Sequence, residues 1–595
     1  MTMNYPISFR ISVPEPHSHL LAVEMRIEEL TERDELILRL PVWTPGSYKI
    51  REYSKHLQEL EIRDGDGEIC DVEKIDKAGW EVDVEDRTSL VVRYRVYGYE
   101  ISPRYNHVDG THAFINPVAT CLYPEDQLDA PVSLEVVAPE ADWEVFCGLD
   151  RRSENPVRFE ATDYDELFDS PVEMGPHQVI DLEVRGVEHR FVVWSDIDVD
   201  LEPFERDLPA IIEQNISMFD DVPYDRYVFI NHVVPGNWGG LEHRHSSVNI
   251  FGPEELDRTV ADDDGEYGEK YANVLRLLSH EHFHAYHVKR LRPEELGPFD
   301  YQRENYTPSL WAVEGVASYF DTYNIRRAGL IGPKHYIEVL ERRLGKLHGV
   351  YGRHLQSLEE SSFDAWIRLY RRDENTPNST VSYYLKGELV VWLIDLWIRD
   401  QSDGERTMAD AIVELWNDYY VDRDVGFPAR AVEEAVASQA GADASQLFDR
   451  LVRTSRPIDW EEYLEPVGLQ LRAVDDDDPG WLGIRTRTRS GDRTEIKTVE
   501  RNSPAEEAGL YAGDEIVAVD GWSIPTRDLD DVLGDRCPGD EVGVHVVRRG
   551  RLQCIEATCG PAPKTDFRLE RITDASDRQL ALLEGWLGVN RWNDE

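Results

Sequence analysis

Basic residues are scarce in this 595-residue chain, and lysine most of all. There are 64 Lys and Arg against 117 Asp and Glu, a formal net charge of −53, and only 11 of the 64 are Lys. Nucleic acid and anionic membrane surfaces need a basic footprint, so this balance excludes both as partners. No run of about eighteen apolar residues is present that could span a bilayer. The opening MTMNYPISFRISVPEP lacks the basic stretch and apolar core of a secretory leader, and the expected location is the cytoplasm. Six cysteines (Cys70, Cys121, Cys147, Cys537, Cys554 and Cys559) are scattered without CxxC-type spacing. That excludes a disulfide framework and predicts isolated, buried thiols.

The acidity is spread along every segment, not gathered in a tail. Such a distribution resembles the surfaces of proteins from salt-in halophiles, where molar salt shortens the Debye length to ~3 Å and removes self-repulsion. The apolar content of 41% and the 15 Trp are those of a globular protein long enough for several domains.

Residues 1–185 carry alternating, β-branched segments (ISFRISV, ELILRLPVW, SLVVRYRVYGYE) cut by Gly, Pro and Asp, which predicts an N-terminal β-sheet domain without obvious helices. Within it Pro41-Val42-Trp43-Thr44-Pro45-Gly46-Ser47-Tyr48 reads either as a packed corner or as a loop rimming a neighbouring site. From 186 to 460 the pattern changes to a mixed domain with a mostly helical second half. It opens with a helix in DLPAIIEQNISMFDDV and strands in YDRYVFINHVV and VNIFG. Helices are expected at 268–290, from Trp311, and at 334–347, 382–400, 408–418 and 428–452. The acid run Asp475 to Asp478 lies in a linker within the first part of a second β-rich unit, 466–562. A helical tail, 563–595, closes the chain.

Within LLSHEHFHAYHVKRL, His280-Glu281-His282-Phe283-His284 is a His-Glu-x-x-His pattern in a helical setting. Residues four apart stand one above the other, so His280 and His284 can offer two imidazoles to one metal ion with Glu281 beside them. A peptidase zinc site needs a third protein ligand and an open position for water. Glu314, in the apolar stretch Trp311-Ala312-Val313-Glu314-Gly315-Val316, is costly to bury unless paired or metal-bound, which makes it the candidate. Asp321, two turns on, suits a partner that orients a ligand histidine. Between strands, Gly239 and Gly240 precede Glu242, which suggests backbone held close to a ligand and a carboxylate at a sheet edge, or simply a solvated loop. Tyr383 and Tyr384 open a helix; either phenol can donate to an oxyanion, and spacing does not choose between them.

These blocks (WTPGSYKIREYSKH, GGLEHRHSS, LSHEHFHAYHVKRLRPEELGPFDYQRENYTPSLWAVEGVASYF and SYYLKGELV) closely resemble, in the same order, those of the glycyl aminopeptidases, PDZ-containing gluzincin metallopeptidases. The resemblance implies a multidomain α+β fold with a thermolysin-like catalytic domain, and one zinc ion per chain on His280, His284 and Glu314 with Glu281 as general base. Gly239-Gly240-Leu241-Glu242-His243 resembles the Gly-x-Met-Glu-Asn exopeptidase motif of the aminopeptidase N group, with Leu for Met and His for Asn. By that likeness Glu242 binds the α-amine of a peptide substrate. Tyr384-Leu385-Lys386-Gly387 fits the group's Tyr-x-Lys-Gly frame and favours Tyr384. The family's preference for N-terminal Gly or Ala is likewise carried by resemblance. The 466–562 unit resembles a PDZ domain, with Gly480-Trp481-Leu482-Gly483-Ile484 standing where backbone amides would meet a peptide C-terminus. The alternatives are an endopeptidase of the same chemistry and a PDZ adaptor with an inactive peptidase domain; oligomeric state is left open.

Overall fold

A computed structural model of the protein describes residues 6–30, 33–257, 267–474, 480–489, 493–524 and 529–592. The acid run at 475–478 lies outside them. The protein is a multidomain α+β chain: an N-terminal β domain, a mixed middle region that turns helical, and a C-terminal β domain. It folds as two compact units. The first runs to Tyr306 and takes in 320–332 and 415–428; the second holds 307–319, 333–414 and the chain from 429 onward.

In the first unit a seven-stranded sheet is built around Ile7–Ser12, which pairs antiparallel with Leu20–Ile27 and parallel with Val132–Val137. The alternation in ISFRIS sends Ile7, Phe9 and Ile11 into one core with Val23, Met25, Val92 and Leu134. Each such side chain contributes roughly 1.5–3 kcal/mol on burial. Two four-stranded sheets complete this domain. It also holds a short helix, Tyr164–Phe168, N-capped by Asp163, which the strand-rich pattern did not announce.

The sheet that positions the site has five strands: β1 (Gln178–Val184), β2 (Val187–Ser195), β3 (Arg226–Val233), β4 (Trp238–Glu242) and β5 (Ser246–Phe251). Their order is β1-β2-β3-β5-β4, with β2, β3 and β5 parallel and β4 an antiparallel edge. Helices α1 (Glu202–Phe219) and α2 (Glu269–Phe283) pack on one another, and the Asn215 amide donates to the Ser279 carbonyl at 3.1 Å. The expected helix over 268–290 therefore stops seven residues early. Beyond Phe283 the chain turns, because the carbonyl of His287 is drawn back to the His284 ring.

In the second unit, residues 311–315 form a wide π-turn that runs straight into a helix from Val316 to Arg327. The long helix α3 (Tyr383–Gln401) presses against that turn through glycine on both sides. A Cβ at Gly315 would lie 2.7 Å from the Gly387 backbone. The segment expected as one helix over 428–452 is two, 431–440 and 445–451, broken where Gly441 takes a left-handed φ of 64°. The sheet of the C-terminal β domain (484–489, 493–499, 515–519, 541–548, 551–558) is reached and left through a two-stranded ribbon, Leu469–Ala473 with Phe567–Arg571. In its loop the Gly480 amide donates to the Arg536 carbonyl at 2.7 Å, and the Trp481 amide to the Gly560 carbonyl at 3.1 Å. These two amides are thus spent inside the domain and are not presented to a terminal carboxylate. Four cysteines are buried as expected, but Cys537 and Cys554 are exposed, since both fall on the surface of the C-terminal β domain.

Gly315→Ala is expected to destabilise the protein by about 1–3 kcal/mol, since its methyl must displace backbone and not a movable side chain. A thermal melt of the variant beside wild type reads this, and an unchanged midpoint would contradict the close approach of the two helical segments.

Candidate functional site

α2 delivers His280 and Glu281 in its last turn, and His284 follows as its C-cap in helical conformation (φ −63°, ψ −19°), so the four-residue stacking survives the helix end. His280 Nδ1 lies 3.1 Å from Asp321 Oδ2, and His284 Nδ1 lies 2.7 Å from the His287 carbonyl oxygen. An acceptor at each Nδ1 fixes the tautomer that keeps the proton there and leaves the lone pair on Nε2. The two Nε2 atoms face each other at 3.0 Å. Two lone pairs so placed repel, and a shared cation turns the repulsion into ligation. Imidazole nitrogens are a donor set suited to zinc.

Asp321 is fully buried and accepts from Arg276 (3.2 Å) and Thr322 (2.6 Å) as well as from His280. Burial disfavours its charge, but Arg276 and His280 outweigh that and hold its carboxyl below the usual carboxylate range.

Beside this pair stand two acids. Glu242 ends the edge strand β4, 4% exposed, and Glu281 is 5% exposed. Donor atoms of Glu242, Glu281 and His284 lie within 4.8 Å of one another. Like charges this close and this buried are expensive, so the pocket is built for positive charge. Backbone makes the room. A side chain on Gly240 would run into the Glu281 carboxylate, and one on Gly46 (φ +82°) into that of Glu242. Gly239, with φ of +144°, has open space where its side chain would stand. The Trp43-to-Tyr48 segment is consequently both things the sequence allowed. Trp43 and Tyr48 are core, and Gly46 walls the site.

The β4–β5 turn is tied down by Asp169, whose oxygens accept from His243 Nδ1 (3.0 Å), the Arg244 amide (2.8 Å) and Lys289 Nζ (2.8 Å). Burial opposes the Asp169 charge, but Lys289 and His243 prevail and push its pKa down. Burial also works against the Lys289 ammonium; Asp169 and Glu242 overcome it and raise its pKa. Arg104 Nη2 donates to the Gly240 carbonyl at 2.9 Å. Sequence reasoning missed Asp169, Lys289 and Arg104.

In the second unit Glu314 is 2% exposed within the π-turn. Such one-turn widenings occur often at functional positions. Tyr383 is fully buried and stacks on Tyr384 with ring centroids 4.8 Å apart. Tyr384 is half-buried, and its hydroxyl lies 3.2 Å from that of Tyr370. Burial first, then the charge of Glu314, raises the Tyr384 pKa well above that of a free phenol, so it stays protonated as a donor.

Three family models match the chain: the peptidase M61 N-terminal domain over residues 8–176, the M61 glycyl aminopeptidase over 273–390, and a PDZ domain over 495–534. The crystal structure of an aminopeptidase N family protein from Idiomarina loihiensis is 31% identical and superposes with a TM-score of 0.91, covering 98% of this chain and all of that one. An M1 zinc metallopeptidase mutant from Deinococcus radiodurans is 14% identical, with a TM-score of 0.47 over 76% of this chain and 94% of its own. Among curated relatives, a probable periplasmic DegP-like serine endoprotease of Hahella chejuensis is 31% identical over 99 residues, 15% of this chain. The chain spans between 21% and 28% of the length of the curated relatives it matches. That likeness lies in the PDZ region, and the matched proteins are named periplasmic, against the cytoplasmic expectation. The expectation is withdrawn, since lack of a leader-like pattern is no physical evidence for a compartment. The chain belongs to the M61 glycyl aminopeptidase family of peptidases.

Proposed function

We propose that this protein is a zinc-dependent aminopeptidase that removes N-terminal residues, small ones such as Gly or Ala preferred, from peptides. The observation that carries the reading is the pair of Nε2 lone pairs of His280 and His284, aimed at one another beside two buried carboxylates. His280 and His284 would hold the ion. Glu314, a buried acid seven residues ahead of Asp321 on one continuous helical run, would supply the third ligand. A bound zinc ion contributes Lewis acidity toward water and a carbonyl.

The chain's own groups do the remainder. Glu281 takes a proton from water and returns it to the departing amine. Tyr384 is preferred over Tyr383 as donor to the oxyanion, because Tyr383 is sealed in the core while Tyr384 keeps part of its surface accessible. Glu242, closing the edge strand, pairs with the substrate's α-ammonium, and Gly239 and Gly240 let the peptide lie against bare backbone. Asp169, Lys289 and Arg104 keep that edge in place.

Glu281→Gln is expected to lower kcat by about 10²–10⁴ while zinc content stays at the wild-type level. Normal turnover in that variant would overturn the general-base role. Glycyl- and alanyl-arylamides should be cleaved and their N-acetyl forms spared, with Glu242→Ala losing most activity. Cleavage of the blocked forms would instead indicate an endopeptidase. Asp321→Ala should weaken zinc retention about 10–100-fold, read by metal analysis after dialysis against a chelator. Unchanged retention would count against its orienting role.

A further inference from the structure

A second cluster of metal-type side chains lies in the first unit, away from α2. Its centre is Glu173, fully buried on the strand Val172–Gly175. Its two oxygens lie 2.8 Å from His177 Nε2 and 2.9 Å from His232 Nε2. Its ion-pair partners among the described residues are imidazoles alone, without Lys or Arg.

His112 completes the group: donor atoms of His112, Glu173 and His232 lie within 4.8 Å of one another, all three residues buried. The His112 ring is clamped against Trp194, centroids 3.8 Å apart, and against His107 at 4.7 Å, so its orientation is fixed. The Thr111 hydroxyl donates to Asp109 Oδ1 at 2.6 Å, which leaves its oxygen to accept from His112 Nδ1 at 3.1 Å. The proton of His112 is therefore on Nδ1 and the lone pair on Nε2, an atom that is buried and without a hydrogen-bond partner. The ligand pair His280–His284 uses the same device, an acceptor at Nδ1 that aims the other nitrogen inward. An unmet buried lone pair beside a buried carboxylate is costly for hydrogen bonding alone and is what a cation would satisfy.

We propose that His112, Glu173 and His232 bind a second divalent ion of the zinc class, with His177 holding the far oxygen of Glu173. Two imidazoles and one carboxylate form a zinc-type donor set. The site joins the N-terminal β domain to the five-stranded sheet, because Glu173 and His112 come from the former and His232 from β3. Its role is to fasten the two layers, and it takes no part in the peptide chemistry.

The test counts metal on the full chain after brief chelator treatment and dialysis, with Zn²⁺ then titrated back. Wild type is expected to take two zinc ions per chain. The variant His280→Ala/His284→Ala should take one, and adding Zn²⁺ should raise its thermal midpoint. His177→Ala placed in that background should weaken this remaining zinc about 10–100-fold. A folded double variant that binds no zinc overturns the proposal, leaving the Glu173 cluster a metal-free hydrogen-bond network. Should the double variant not fold, the wild-type count decides: one zinc ion per chain overturns the proposal and two uphold it.

Discussion

Two carboxylates, Glu242 and Glu281, are held with His284 inside a region closed to solvent, and their mutual repulsion is the constraint the surrounding structure answers. In water such a pair would separate. Here α2 fixes one acid and the edge strand β4 fixes the other, and neither can retreat. The arrangement persists because positive charge stands near it, the ammonium of Lys289.

Crowding is the second side of that constraint. Carboxylates can approach this closely only if the walls behind them are thin, and at both points the wall is glycine. Gly240 backs Glu281 from the neighbouring strand, and Gly46 backs Glu242 from the N-terminal domain. The N-terminal domain therefore shapes the site directly, through Gly46, Arg104 and Asp169, and is more than a support for the catalytic sheet.

The parts of this design that are local in the chain were legible in the sequence. His280, Glu281 and His284 share one helical turn, Asp321 lies on a helix with a matching face, and Glu314 stands out as an acid in an apolar run. What could not be read depends on contacts between distant segments. Asp169 meets His243 across 74 residues and Lys289 across 120, and no periodicity relates them. Tyr383 and Tyr384 are alike in type and spacing, and only their unequal exposure separates them. The apolar pattern after Phe283 continues as if helical, yet the ring of His284 captures a carbonyl and ends the helix. The cluster around Glu173 draws on residues from 109 to 232 and leaves no motif at all.

The ribbon at the base of the PDZ domain has its own consequence. Ala473 and Phe567 are direct partners in an antiparallel pair, so the chain leaves and re-enters the helical body at neighbouring points. Paired residues of this kind lie about 4.5–5.5 Å apart, a gap that a two-residue turn spans. The PDZ domain is thus a cassette: evolution could lengthen it, exchange it or remove it at this seam without shifting the register of a single element beneath.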